Sequence, residues 1–147
     1  IVAGQKVEFS NEDLVVHNVF SRSRAGKFDA GKNRRGESYT HRFRKTGIVD
    51  VYCDIHEEMQ AALMVVPNRA FAVTDAQGRF VLQGVPAGTH PLFAVLRRAE
   101  HSDSARAEVT VEAGRESQVV VELHETPGDE PHLDRTGRKY SDRPDGY

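Results

Sequence analysis

The sequence of 147 residues contains one cysteine, no tryptophan and no long hydrophobic run. A lone cysteine excludes an internal disulfide, so the fold is not a small secreted domain held together by disulfide bridges. The longest apolar stretch, residues 61–66, is far shorter than the roughly 18–20 residues that cross a bilayer. With 7% aromatic residues and a formal net charge of −2, the chain offers nucleic acid few stacking platforms and no overall attraction.

Valine is the most informative part of the composition. It occurs 18 times, against seven leucines and three isoleucines, and β-branched side chains suit pleated sheets better than helices. The pattern along the chain contains no convincing helix. We therefore expect an all-β fold. The sequence begins with Ile1 and carries no signal-peptide pattern, so we expect a processed product of an exported protein.

Three segments differ in their patterns. Residues 1–67 contain short apolar alternations that predict strands, and Pro67 marks the end of this segment. Residues 68–125 have the pattern of a meander, with strands expected at 71–74, 79–83, 89–96, 109–111 and 119–123 between turn residues. We interpret these two segments as successive β-sandwich domains.

Residues 126–147 form a polar tail. This segment contains three prolines and nine charged residues, and too few apolar residues to bury a core of its own. A segment of this composition becomes ordered only against another surface. We expect the tail to be extended and a partner to provide that surface.

The segment around Cys53 carries the strongest chemical signal. Cys53, His56 and Met59 follow one another at intervals of three residues at the end of a predicted strand. His17 lies in an apolar stretch, where an imidazole needs a partner. Two histidines, one cysteine and a weak axial methionine are the ligands of blue-copper electron-transfer sites. The sequence therefore predicts one copper ion bound by these four residues.

Other interpretations of the same residues stay open. Taken one at a time, Cys53 and Met59 could be packing residues and His17 a satisfied core histidine. His17, Cys53 and His56 could also hold zinc with an open water position, although a thioether adds nothing to zinc hydrolysis. A thiol nucleophile is less well supported, because no third orienting residue or oxyanion loop is recognisable. We expect no enzymatic activity.

Residues 5–66 resemble the cupredoxins, most of all the amicyanin and plastocyanin-like type. The resemblance lies in the 11–13 turn, in His17-Asn18-Val19, and in the Cys53-to-Met59 motif followed by a strand. It implies a Greek-key β-sandwich in which His17, Cys53 and His56 are equatorial copper ligands and Met59 is axial. Asn18 would then brace the Cys53 loop. Cupredoxins usually have an earlier strand, and since only residues 1–4 precede the stretch that holds Val7 and Phe9, we expect that strand to be missing or supplied by another chain.

Residues 68–123 resemble the carboxypeptidase regulatory-like domain, a smaller transthyretin-type β-sandwich. The resemblance rests on the Thr74-Asp75-x-x-Gly78-x-Phe80 turn and on the Val85-Pro86-x-Gly88 corner. Domains of this type usually serve structure or binding. Bacterial proteins described as methylamine-utilisation-like fuse the two domains and resemble the whole of residues 1–125.

Positive charge is concentrated in one stretch. Residues 22–45 contain nine basic and two acidic residues, so the chain is strongly bipolar. A docking surface for an acidic partner is one interpretation, and a solvated face is the other. The basic residues that we expect to dock a partner are Arg22, Arg24, Lys27, Lys32, Arg34 and Arg35.

Together these features predict a blue copper protein that carries single electrons in the cell envelope. We expect it to be periplasmic or otherwise exported, and to dock on a redox protein or a membrane-bound complex through an acidic face of that partner. The alternative is a structural accessory subunit of a larger membrane-bound redox complex. Such a subunit would use the cupredoxin fold for docking, with or without copper.

Overall fold

The computed structural model describes residues 1–96, 105–124 and 132–142. Within these ranges the chain is all-β, as the valine-rich composition predicts, and its regular structure consists of eight strands and one short 3-10 turn, Tyr140–Asp142. The expectations for residues 126–131 and 143–147 of the tail lie outside the described residues. The strands are β1 Lys6–Ser10, β2 Val19–Ser21, β3 Phe28–Asp29, β4 Ser38–Arg42, β5 Gly47–Cys53, β6 Gln60–Val65, β7 Gly88–Ala94 and β8 Ala105–Val111.

The chain forms two compact units. The first is built from two segments, Ile1–Arg69 and Glu130–Tyr147, which are separated in sequence by the second unit, Ala70–Asp129. In the first unit β1 pairs with β4, and a four-stranded sheet has the order β3-β2-β5-β6. At the start of the chain, Val2 forms an isolated parallel bridge with Val66 beside β6.

The core of the first unit lies between its two sheets. Alternate residues of β5 are buried, among them Val49 and Val51, because successive side chains of a strand point to opposite faces. Partly buried residues of the β1–β4 pair, Val7, Phe9 and Tyr39, pack against this core. The first unit is therefore a β-sandwich, with each sheet covering the apolar face of the other.

The second unit contains one described sheet, the antiparallel pair β7–β8. The strands expected at 71–74, 79–83 and 119–123 are not formed, and three valines in these stretches, Val73, Val81 and Val120, are between 74% and 89% exposed. The turn between the first two stretches is formed, with the Gly78 N–H donating to the Asp75 carbonyl at 3.0 Å. Turn chemistry is local, whereas a strand also needs a neighbouring strand to pair with.

Among the described residues, no helix has the length or hydrophobicity of a membrane span.

An aromatic cluster surrounds His41 on β4. Its ring is stacked on Phe28, with centroids 4.9 Å apart, and meets the buried Phe43 edge-on at 4.8 Å. Burial lowers the pKa of His41 below its ordinary value of 6.5, because desolvation disfavours the charged imidazolium. The neutral ring is the form that suits this cluster.

Protonation of His41 is expected to make the first unit less stable in mild acid. Since the folded-state pKa is the lower one, the unfolded chain binds this proton more readily, and stability present above pH 6.5 is lost as the pH falls through the lowered pKa. His41→Phe keeps the ring packing and removes the titration. Urea midpoints at about pH 7.5 and about pH 5.5 should fall less for the variant than for the wild type. Equal falls would contradict this assignment.

Candidate metal centre

Cys53 is the last residue of β5, and its side chain is completely buried. It continues the inward row formed by Val49 and Val51, so the alternation of the strand carries the thiol into the interior. The loop from Cys53 to Met59 then connects β5 to β6. Two backbone hydrogen bonds close this loop, from the Cys53 N–H to the Met59 carbonyl at 3.1 Å and from the Met59 N–H to the His56 carbonyl at 3.2 Å.

His17 reaches the same place from another part of the chain. It forms an isolated bridge with Asn33 just before β2, and the register of β2 on β5 places Val19 opposite Cys53. The buried Asn11 fixes the preceding turn, since its side-chain amide donates to the carbonyls of Asn33 at 2.9 Å and Val15 at 2.8 Å. The 11–13 turn and His17 are therefore held as one piece.

Three donor atoms converge in this region. The sulfur of Cys53 lies 3.6 Å from Nδ1 of His56 and 3.8 Å from Nδ1 of His17, and the two imidazole nitrogens are 3.1 Å apart. An ion held by nitrogens at about 2.0 Å and a thiolate at about 2.3 Å, with near-trigonal or tetrahedral angles, needs donors roughly 3.3–3.7 Å apart. The three observed distances lie within this range or close to its ends, so the cluster could hold one metal ion, and its donor set is consistent with copper.

Met59 occupies a less buried position. Its side chain is 40% exposed, and it lines a cavity of about 200 Å³ together with His17 and the 11–13 turn. The structure thus places Met59 and His17 on one cavity. The assignment of its thioether as an axial ligand remains a prediction.

The sequence did not reveal the role of Asp13. Its carboxylate accepts a hydrogen bond from Nε2 of His17 at 2.8 Å, four residues along the chain. A carboxylate can only accept here, so Nε2 carries the proton and Nδ1 presents its lone pair to the cluster. Carboxylates in this position orient metal-binding histidines. The sequence did contain a signal for this role, because Asp13 lies four positions before a histidine in an apolar stretch.

Asn18 connects the two ligand-bearing stretches. Its backbone carbonyl accepts from the Asp54 N–H at 2.8 Å, and its side-chain amide donates to Asp29 at 2.7 Å. Burial alone would raise the pKa of Asp29, but hydrogen bonds from Asn18, Gly31 and Arg135 outweigh it and hold the pKa below its usual value. Asp29 is therefore an ionised acceptor at neutral pH.

The six basic residues expected to dock a partner are all exposed. One of them, Arg22, lies beside Gly137 of the C-terminal segment. A Cβ added to Gly137 would lie 2.8 Å from Nη1 of Arg22. Gly137 has a φ of +90°, so a side chain there would be strained as well as crowded. No described contact identifies what the six residues bind.

Loss of the Asp13 carboxylate should weaken metal binding. Asp13→Ala removes the acceptor that orients His17, and the affinity for Cu(I), measured by competition with a chromophoric chelator, should fall about tenfold. Glu12→Ala removes the same charge from the neighbouring residue and should leave the affinity nearly unchanged. The same loss in both variants would indicate a general effect of charge.

The similarity found to known proteins covers part of the chain. No family model and no curated protein matches the chain. Among solved structures, the chain is similar to one described as a novel purple cupredoxin from Nitrosopumilus maritimus, with 28% identity over 45% of this chain and 74% of that chain, and a TM-score of 0.41. This TM-score is too low to establish a common fold. The case for a metal centre therefore depends on the side chains of the cluster.

Proposed function

We propose that this chain is a mononuclear copper protein that carries single electrons. The proposal is carried by one observation, the convergence of the buried Cys53 sulfur with the Nδ1 atoms of His17 and His56. These three residues would hold the ion, with the Met59 thioether as a weak fourth ligand. A bound copper ion would supply a one-electron couple in which both oxidation states accept the same thiolate and imidazole donors.

The chemistry of the donor set favours copper over zinc. Thiolate and imidazole suit both ions, whereas a thioether is a soft ligand that copper accepts and that zinc sites do not use. Met59 lines the same cavity as His17, and its thioether, if bound to the ion, would take the position that a catalytic zinc site keeps for water. The chain contains one cysteine, so a structural zinc site with several thiolates cannot form within it.

A thiol nucleophile fits the geometry less well. Asp13 does provide the orienting carboxylate that the sequence left unrecognised, which gives an Asp13, His17 and Cys53 series. Cys53, however, is 0% exposed. A nucleophile must reach its substrate, and here the protein covers the sulfur on every side.

Electrons would enter and leave near His56. His17 and Cys53 are buried, whereas His56 is partly exposed. The ligands would also need to move little during electron transfer. The hydrogen bond from the Ile55 N–H to the Cys53 sulfur, at 3.4 Å, holds the thiolate in place. Ligands that are already assembled need little rearrangement when the charge of the ion changes, and this speeds electron transfer.

The exposed basic residues of segment 22–45 would dock an acidic redox partner. Complementary charge raises encounter rates and orients the partner. In line with its resemblance to exported cupredoxins, we propose that the protein lies in the cell envelope.

The alternative function, a structural accessory subunit, gains no support from the tail. The described tail residues bind the first unit of the same chain, as in the pairs of Arg135 with Asp29 and Asp54.

Copper loading provides the direct test. The purified chain with one equivalent of Cu(II) should develop an intense visible band from charge transfer between thiolate and copper, and Cys53→Ser should abolish the band while the fold is kept. His90→Ala, in the second unit, should leave the band unchanged. A colourless wild-type protein that binds no copper would refute the proposal.

Docking through the basic segment predicts a dependence on salt. The Cu(I)-loaded protein, which gives up one electron to become the Cu(II) form, should react faster with an anionic oxidant such as ferricyanide than with a cationic complex of similar potential, and added salt should reduce the difference. Replacing Arg34 and Arg35 by glutamine should have the same effect as salt. Rates that do not change with ionic strength would leave the basic residues as a solvated face.

A further inference from the structure

A short segment near the C-terminus, residues 132–142, contacts the loop that carries the proposed copper ligands. We name this segment the tail clamp. It belongs to the first unit, and it meets the 53–59 loop at three of its residues, Cys53, Asp54 and Glu57. None of the tail clamp residues is part of the His17, Cys53 and His56 cluster.

Arg135 makes the most extensive of these contacts. Its backbone N–H and its Nε donate to the two carboxylate oxygens of Asp54, at 3.0 and 3.1 Å, and its Nη1 donates to Asp29 at 3.1 Å. Asp29 accepts from the Asn18 side chain, and the Asn18 carbonyl accepts from the Asp54 N–H. These four residues form a closed ring of hydrogen bonds.

Two members of this ring are sequence neighbours of the proposed copper ligands. Asn18 follows His17 in the chain, and Asp54 follows Cys53. Arg135 is therefore the fourth member of a ring whose other members hold the two ligand-bearing stretches together. A guanidinium that bridges two carboxylates also fixes the direction of each of them.

Two aromatic residues of the tail clamp contact the loop backbone. The Tyr140 hydroxyl donates to the carbonyl oxygen of Cys53 itself. The His132 ring stacks on Tyr52, with centroids 4.0 Å apart, and its Nε2 donates to the Glu57 carbonyl, next to His56. The loop is thus held at Cys53, its thiol residue, and at Glu57, the residue that follows His56.

The tail clamp has its own rigid turn. Asp134 is 3% exposed, and its side chain accepts from the backbone N–H groups of Thr136 and Arg138 at 2.8 and 2.9 Å. The Asp134 backbone N–H donates to the Arg138 carbonyl at 2.8 Å. This turn presents Arg135 to Asp54 in a defined direction, so the contact does not depend on a long free side chain.

We propose that the tail clamp positions the Cys53 loop, with Arg135 and Tyr140 as positioning residues for the metal site. The proposal rests on the proposed copper function. Without the tail clamp, the loop keeps its own two backbone hydrogen bonds, and it should open more often. The ligand geometry should then be less uniform.

The experiment uses the full chain and two matched pairs of variants. Arg135→Gln is compared with Arg138→Gln, which removes the same charge from the same turn. Tyr140→Phe is compared with Tyr39→Phe, which removes a hydroxyl that does not contact the loop. The first measurement, on metal-free protein, is the rate at which an aromatic disulfide reagent labels Cys53, the single thiol of the chain. The second is the thiolate-to-copper band of the Cu(II)-loaded protein.

A buried thiol reacts only when its loop opens, so loss of one loop hydrogen bond should raise the labelling rate about tenfold in Arg135→Gln and in Tyr140→Phe. The two control variants should label at the wild-type rate. The copper band should shift or broaden in the same two variants and in neither control. Equal labelling rates in each pair, or a band that does not change, would overturn the proposal.

The two proposals fail in different ways. A wild-type protein without a copper band refutes the copper function, whereas the labelling rates still decide whether the tail clamp closes the loop. When the wild type shows the band, labelling rates that are equal within each pair, or a band that Arg135→Gln and Tyr140→Phe leave unchanged, refute the tail clamp alone. Tyr140→Phe changes one hydroxyl, so it keeps the test valid if Arg135→Gln does not fold.

Discussion

The antiparallel pairing of β2 with β5 is the constraint on which the candidate metal site depends. Its register places Val19 opposite Cys53 and Phe20 opposite Tyr52. A slip of one residue would turn Cys53 to the other face of the sheet, away from His17. The register is held by burial, because the inward residues of both strands lie in the core. Packing of apolar side chains therefore determines where the Cys53 thiol and the His17 imidazole meet.

Burial of this cluster needs compensation, since polar donors removed from water must find partners. Asp13 satisfies one side of the His17 ring, and the Ile55 N–H reaches the Cys53 sulfur. The remaining lone pairs face one another, an arrangement that a bound cation would stabilise. Binding to the folded state alone would add to its stability. In the proposed function, the same ion that carries electrons thus holds the end of β5 in place.

Local patterns in the sequence predict much of this arrangement. The alternation of β5, the loop from Cys53 to Met59 and the apolar setting of His17 are readable because each depends on neighbours in the chain. The contact of Arg135 with Asp29 joins residues 106 positions apart, and no local pattern reveals it. The turn that carries Arg135 could have been predicted, because the Asp-x-x-Gly-Arg pattern of the turn at Asp75 recurs at Asp134. In the second unit, the strands expected at 89–96 and 109–111 overlap β7 and β8. Those expected at 71–74, 79–83 and 119–123 were predicted wrongly, because alternation cannot show whether a pairing neighbour exists.

X-ray absorption at the copper edge tests the central claim most directly, because it reports the atoms bound to the ion. For the protein loaded with one equivalent of copper, we predict one short copper–sulfur contact and two imidazole nitrogens, with the sulfur absent in Cys53→Ser. A spectrum with nitrogen and oxygen scatterers alone would contradict the account. It would mean that the Cys53 thiol and the two imidazoles do not share one ion.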